Sequence, residues 1–337
     1  MYNFNKENFL KVMNGAVGVK PEVDKIVEAV MKKGYKTLFL VGSGGSMAIM
    51  LPFEYLLKAH ARIDVRTEIA AELMVRDSKF LNKDALVILS SLSGTTKETV
   101  AACKYCKERE AVTIGLVGEL GTPLADLADH VLVNYSENDF AGDSIYIQLF
   151  ELIFGLMHAN GDFPEYEEFM EEFKAMPEAL YGMKEAVEPA MMEFAKKYKN
   201  ETYHMLVGSG SVWGETYSYG MCVLEEMQWI RTRPIHAAEF FHGTLELVEK
   251  DTSVVLMKGE DETRPLMDRV ERFAGQYTDK LSVFDTKAYP LKGISEKFRV
   301  YLSPLMICTI FEVLSTHLEK ERNHSLDLRR YYRVIEY

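Results

Sequence analysis

Cysteine is scarce in this 337-residue chain: Cys103, Cys106, Cys222 and Cys308 are too few and too scattered for a disulfide framework in a protein this long. Cys103 and Cys106 form a CxxC pair, but they fall one to two turns inside an expected helix rather than at its start. A zinc site would need two further ligands from distant positions. The chain also lacks a basic stripe, and its net charge of −12 argues against a nucleic-acid partner, whose phosphates attract concentrated Lys and Arg. No apolar core of signal-peptide length follows a basic start in MYNFNKENFLKVMNG, and no uninterrupted apolar run approaches the roughly 18 residues of a membrane span. The expectation is a cytoplasmic protein with no membrane partner. A small anionic ligand stays compatible with the charge, provided backbone N–H groups and hydroxyls hold it locally.

What is present is a soluble balance, 47% hydrophobic and 27% charged residues, in a chain long enough for two domains of about 150 residues each. Apolar, β-branched runs ending in turn residues occur as KTLFLVGS (36–43), ARIDVRTE, DALVILSS (84–91), AVTIGLVG (111–118) and HVLVNYS, with helical stretches between them. Alternating β and α segments imply an α/β fold with a doubly wound parallel sheet of the flavodoxin-like kind. HMLVGSGSVWGETYSYGMCVLEEM (204–227) then echoes LFLVGSGGSMAIMLPFEYLL (38–57), so a duplicated domain is the simplest account. PIHAAEF, TSVVLMKG and KLSVFDT are the later strands expected. The organisation read from this is an N-terminal helical segment (1–29), a first domain (30–155), a helical linker (156–195) and a second domain with a C-terminal tail (196–337).

Two turns of the first domain carry chemistry. VGSGGSM, Val41 to Met47, joins a buried strand to a helix, and its glycines, Gly45 among them, let backbone N–H groups face an anion. The same spacing reads as a dinucleotide fingerprint, but Met47 stands where its third glycine belongs; a tight turn with no ligand is the plain alternative. SSLSGTTKET, Ser90 to Thr99, places hydroxyls at Ser91, Ser93, Thr95 and Thr96 around Gly94 where a strand ends and a helix opens. One or two hydroxyls suffice as helix caps, and the surplus suits a phosphate monoester.

In the second domain, Tyr219, Cys222, Val223, Met227 and Ile230 trace a helical stripe that also contains Glu226. A carboxylate there is partly desolvated, which fits it to exchange protons near neutral pH, whereas Glu225 points elsewhere. A structural ion pair with Arg231 or Arg233 is the alternative. His242 follows an expected apolar strand in AEFFHGTLELV; alone, it is equally well a polar filler. His204, His236, His317 and His324 are read as structural.

VGSGGS followed some 45 residues later by SSLSGTTKET resembles the sugar isomerase (SIS) domain, in which two such turns hold a sugar phosphate. The resemblance implies phosphate contacts at Gly45, Ser46, Ser91, Ser93, Gly94 and Thr96, with Leu92 where relatives often have Gln. It further implies a catalytic Glu at Glu226 and a catalytic His at His242, within an E-x-x-HG-[PT] segment matched by Glu239 to Thr244, Thr244 replacing the usual proline. In related dimers this His enters the neighbouring subunit's site, so a homodimer or higher oligomer is implied.

The resemblance covers nearly the whole chain. Glucosamine-6-phosphate synthases share the tandem domains, but they add an N-terminal glutaminase with Cys at position 2, where this chain has Tyr2, and use a lysine near the C-terminus, where the last lysine is Lys320. The tail HSLDLRRYYRVIEY, with Asp327, Arg329 to Tyr332, Glu336 and Tyr337, resembles the fructoselysine and glucoselysine 6-phosphate deglycases. Their chemistry uses no metal or nucleotide: an acid opens the sugar ring, a base moves a proton between C1 and C2, and the imine is hydrolysed. An aldose–ketose isomerase, an amino-sugar phosphate deaminase and a non-catalytic sugar-phosphate sensor are the other readings.

Overall fold

The computed structural model describes residues 1–136 and 140–336; Tyr337 of the tail motif lies outside them. The chain forms two compact units, one of Lys6–Pro177 and one of Glu178–Tyr337 together with Met1–Asn5.

The first unit holds a five-stranded parallel sheet, β1 (Thr37–Gly42), β2 (Asp64–Ile69), β3 (Ala85–Ser91), β4 (Val112–Val117) and β5 (His130–Val133), in the order β2-β1-β3-β4-β5. Every residue of β1, β3 and β4 is buried. That is why these strands read as unbroken apolar runs: helices cover both faces of a parallel sheet, so neither face has to be polar. The helices Lys6–Val17 and Lys20–Lys33 pack on Ala141–Ala159, a helix buried nearly all round. Its Phe150 and Phe154 meet Phe169 in an aromatic cluster.

The second unit repeats the topology with one strand fewer. Its strands β6 (Tyr203–Gly208), β7 (Arg231–His236), β8 (Val254–Lys258) and β9 (Leu281–Asp285) run in the order β7-β6-β8-β9, the same winding as β2-β1-β3-β4. The duplication seen in the VGSG echo is therefore structural.

Two expectations need correction. The strand anticipated at PIHAAEF ends at His236, and β7 begins earlier, at Arg231. As an edge strand it is only half covered, so Arg-Thr-Arg is tolerated and the apolar signal is weak. The stretch Glu296–Arg322 is long and apolar enough, by length and composition, to cross a membrane, its most apolar 18-residue window having a mean hydropathy of 1.4, yet 72% of that window is buried in the protein. Its main helix, Ser303–Arg322, is the core helix of the second unit; scattered polar residues break the run without making it hydrophilic.

Candidate active site

The order β2-β1-β3 places a topological switch between β1 and β3, because the chain leaves β1 to one side and builds β3 on the other. Ligands of open α/β sheets bind outside the carboxyl ends of strands at such points. Both turns singled out in the sequence sit there. β1 pairs with β3 from Thr37↔Ala85 to Val41↔Leu89, so the turn after Gly42 and the turn after Ser91 leave neighbouring strand ends. A Cβ on Gly42 would lie 2.7 Å from the Ser46 and Met47 backbone, and Gly44 has φ +57°; glycine is what lets this turn fold back so tightly. Ser43 Oγ, a buried atom in this turn, has no hydrogen-bond partner among the described residues. It is a free donor that motif matching overlooked, and its position directly before the GGS run is the only signal that could have marked it.

In the second turn the hydroxyls converge. Ser91 Oγ lies 2.9 Å from Thr96 Oγ1 and 3.5 Å from Ser93 Oγ, and Thr95 Oγ1 donates to Ser93 Oγ at 3.0 Å. Thr96 occupies the N-cap of the helix Lys97–Glu108 yet makes no side-chain capping bond. The hydroxyls bond one another, Ser93 Oγ also accepts from Thr95 N at 3.3 Å, and the Thr96 side chain does not cap the first N–H groups of this twelve-residue helix, where the helix dipole favours an anion. Gly94 has φ +61°, and a Cβ there would meet Thr122 Oγ1 at 2.1 Å. Leu92 is exposed. The structure thus brings Gly45, Ser46, Ser91, Ser93, Gly94 and Thr96 to one sheet edge.

The equivalent turn of the second unit is closed. Gly208 ends β6 and Ser209, Gly210 and Ser211 follow it, and the place an anion would take is filled by Asp261. Its Oδ2 accepts from Ser211 N at 2.9 Å and Ser211 Oγ at 2.6 Å, and its Oδ1 from Thr263 N at 2.9 Å and Thr263 Oγ1 at 2.6 Å. A Cβ on Gly210 would strike that carboxylate at 2.5 Å.

Glu226 lies at the opposite, amino-terminal edge of the second sheet. The segment Tyr219–Glu225 is a π-helix rather than the continuous α-helix expected, and Glu226 N donates to Met221 O, five residues back, at 3.1 Å. The wider turn shifts the register, so the anticipated stripe is only half buried at Cys222, Val223 and Met227; π-turns of this kind recur at functional sites. Trp229, at φ +55°, then turns the chain into β7. Glu226 Oε1 pairs with Arg329 Nε at 2.9 Å. The ion-pair partner is thus in the C-terminal tail and is neither Arg231 nor Arg233. Glu225 instead accepts from Thr232 Oγ1 at 2.6 Å. Glu226 and Arg329 line a cavity of about 1020 Å³ together with Trp229, Arg231, Arg330 and Tyr332, entirely within the second unit.

His242 is not in that cavity. It is exposed on the turn past the carboxyl end of β7, with its N–H donating to Glu239 O at 2.9 Å, whereas Glu226 stands by the amino end of the same strand. Thr244 Oγ1 accepts from Arg233 Nη2 at 3.3 Å, a contact the usual proline could not offer. His204 and His317 are buried, and burial lowers the affinity of both for a proton, that of His204 to a pKa of about 4. Burial pushes the Cys103 thiol up to about 11 and that of Cys106, with its neighbour Cys103 adding to the effect, to about 12. Both sit inside the helix Lys97–Glu108 as apolar filler. Among the described residues no group of three His, Cys, Asp or Glu side chains could hold a metal ion.

Comparison with known proteins gives a consistent picture. Residues 33–152 match the SIS domain model. The fructosamine deglycase FrlB of Bacillus subtilis is 33% identical over 95% of this chain and 98% of its own length. The fructoselysine 6-phosphate deglycase of Escherichia coli O157:H7 is 23% identical over 94% and 92%. A Bacillus subtilis crystal structure with a provisional phosphosugar isomerase designation superposes with a TM-score of 0.90 at 31% identity, covering 96% of this chain and 99% of that one.

Proposed function

The chain belongs to the SIS-domain family, at the branch of the fructosamine deglycases, and from that premise we propose that it cleaves a fructosamine-type 6-phosphate of an amino acid into a hexose 6-phosphate and the free amino acid. The observation that carries the site assignment is Glu226, held by Arg329 in a cavity walled by the C-terminal segment. In this reading the turns at Gly45–Ser46 and Ser91–Thr96 take the 6-phosphate through hydroxyls and helix N–H groups, without a cationic side chain.

Glu226 removes the C1 proton of the open-chain ketose, the electron pair moves to give an enolamine, and a proton returned at C2 leaves a C1=N imine. Water then adds at C1 and the C–N bond breaks, the amine leaving with a proton. Arg329 holds the Glu226 carboxylate in one orientation for the first transfer.

His242 supplies the acid that opens the sugar ring. Six residues of β7 separate its turn from the Glu226 cavity, about 20 Å at roughly 3.3 Å per residue. As the sugar isomerase resemblance implies, its site is the cavity of a second copy of the chain, and the active form is a homodimer or a larger homo-oligomer in which each cavity borrows a histidine; the strand's length between His242 and Glu226 supports this reading.

Release of free amino acid from a panel of fructosamine 6-phosphates, with no cofactor added, tests the reaction. Glu226→Gln should retain sugar-phosphate binding while turnover falls about 10² to 10⁴ fold; an active Glu226→Gln protein sinks the assignment, and turnover of a plain hexose or amino-sugar phosphate alone points to an isomerase or deaminase. Shared sites have their own test. Glu226→Gln and His242→Gln chains, each inactive alone, should regain about a quarter of wild-type activity when co-refolded, because random pairing gives half heterodimers with one intact site of two. No recovery would place both residues in one chain's site.

A further inference from the structure

Glu226 is delivered by a helix that breaks its own spacing. Trp213–Ser218 is α-helical and Tyr219–Glu225 is a π-helix. The ordinary spacing then returns: Glu226 N donates to Met221 O, five residues back, at 3.1 Å, and Met227 N to Val223 O, four back, at 3.0 Å. One extra residue in a turn rotates everything after it by about 100° relative to a continuous α-helix. The direction of the Glu226 side chain therefore depends on the wider turn staying in place.

Both ends of that turn are tied down. At its start Tyr219 is buried, its ring centroid 4.5 Å from that of Phe311, and its hydroxyl accepts from Ser315 Oγ at 3.4 Å. At its end Glu225 accepts from Thr232 N at 3.2 Å and Thr232 Oγ1 at 2.6 Å. Between them lies Gly220, also buried. A Cβ there would lie 2.8 Å from Pro234 Cγ, 3.0 Å from Thr232 Oγ1 and 3.1 Å from Leu206 Cδ1. Pro234 pairs with Leu206 across β7 and β6, and its ring cannot swing aside as a flexible side chain would. Gly220 is not among the residues with positive φ, so its backbone conformation does not call for glycine. Glycine also weakens a helix. The close approach of helix and strand is what it allows.

We infer that Gly220 is a positioning residue for the reaction: by letting the π-helix lie directly on Thr232 and Pro234, it sets the depth and angle at which the Glu226 carboxylate enters the cavity. This rests on the deglycase reading above, with Glu226 as the base. A methyl group at position 220 lifts the helix off β7, and Glu226, less than two turns further on, moves with it. Proton transfer is lost to small misplacements of the base. The phosphate turns lie in the first unit and are untouched, so the loss falls on kcat rather than on KM.

The test is a size swap across the contact, measured as amine release from whichever fructosamine 6-phosphate of the panel above the wild type cleaves. Gly220→Ala should lower kcat about tenfold or more, with KM within about twofold of wild type. Pro234→Ala leaves a gap beneath the glycine and should lower kcat less. The pair should recover most of the loss, because the new methyl group takes the space of the removed ring atoms. Gly182→Ala, in the helix Met176–Tyr198 where an added Cβ would meet nothing within 4 Å, should keep wild-type kcat. A folded Gly220→Ala protein with wild-type kcat, or losses that multiply in the pair, overturns the positioning role and leaves the deglycase reading intact. Should Gly220→Ala not fold, the pair decides against Pro234→Ala alone: faster turnover in the pair supports the role, and slower turnover or a pair that does not fold overturns it. Wild-type protein that releases no amine from any adduct, or full activity in Glu226→Gln, overturns the deglycase reading or its base, and this role with it.

Discussion

The two Gly-rich turns of this protein began as one motif and now differ in what fills them. In the turn after β1 a Cβ added at Gly44 would meet nothing within 4 Å, and the Ser/Thr turn after β3 spends its hydroxyls largely on one another. After β6 the same VGSG sequence closes on Asp261, a carboxylate 6% exposed with four hydrogen bonds. The lesson is that a phosphate-binding turn left without its ligand is a cluster of unsatisfied donors, and a duplicated domain that no longer binds must supply an anion of its own. Asp261 is that anion. In the function proposed above, one copy of the motif serves binding and the other is scaffold.

Breaking that internal substitute should have the largest effect on stability. Asp261→Ala strips the acceptor from Ser211 and Thr263 and should cost about 3 to 5 kcal/mol, read as a lower denaturant midpoint, with kcat per folded molecule unchanged. A variant as stable as wild type would show the contacts to be incidental.

Glu151 sharpens the comparison, because it is a buried carboxylate with no such donors. Both of its oxygens lack partners, and burial pushes its pKa up to about 9 from an ordinary 4.5. The folded state therefore keeps it protonated. A carboxyl whose folded pKa is raised costs nothing below the unfolded value and destabilises increasingly as pH rises from about 4.5 through 9. Glu151→Gln should match wild type near pH 4.5 and exceed it by a few kcal/mol at pH 8. A stability difference that does not vary with pH would contradict the protonated state.

The smallest expected effect separates the two turns by function. Ser91→Ala should raise KM for a 6-phosphate substrate about tenfold, the net worth of roughly one hydrogen bond to a charged group, with little change in melting temperature. Ser211→Ala, its counterpart, should lower the melting temperature and leave KM alone. Any other pairing of outcomes removes the distinction drawn between them.

Much of this was legible in advance because the signals are local. Strands β1, β3, β4, β6 and β8 are covered on both faces and so announce themselves as apolar runs, and the glycines that must bend backward are the glycines of the motif. Edge strand β7 was misplaced because exposure on one side dilutes its pattern. Arg329 as the partner of Glu226 lay out of reach, since 103 positions separate the two and nothing local joins them. The π-turn was hidden for a related reason: nothing local in Tyr219–Glu225 distinguishes the wider helix from an α-helix.

By itself, then, the amino-acid order determined the doubly wound fold, its duplication and the two turns proposed to take a phosphate, because hydrophobic period and glycine placement act over a few residues. Tertiary structure alone decided that the second turn is filled by Asp261, that Glu226 is paired with the tail, and that His242 stands a strand's length from it. Those are outcomes of which distant side chains meet, and a chain settles that only by folding.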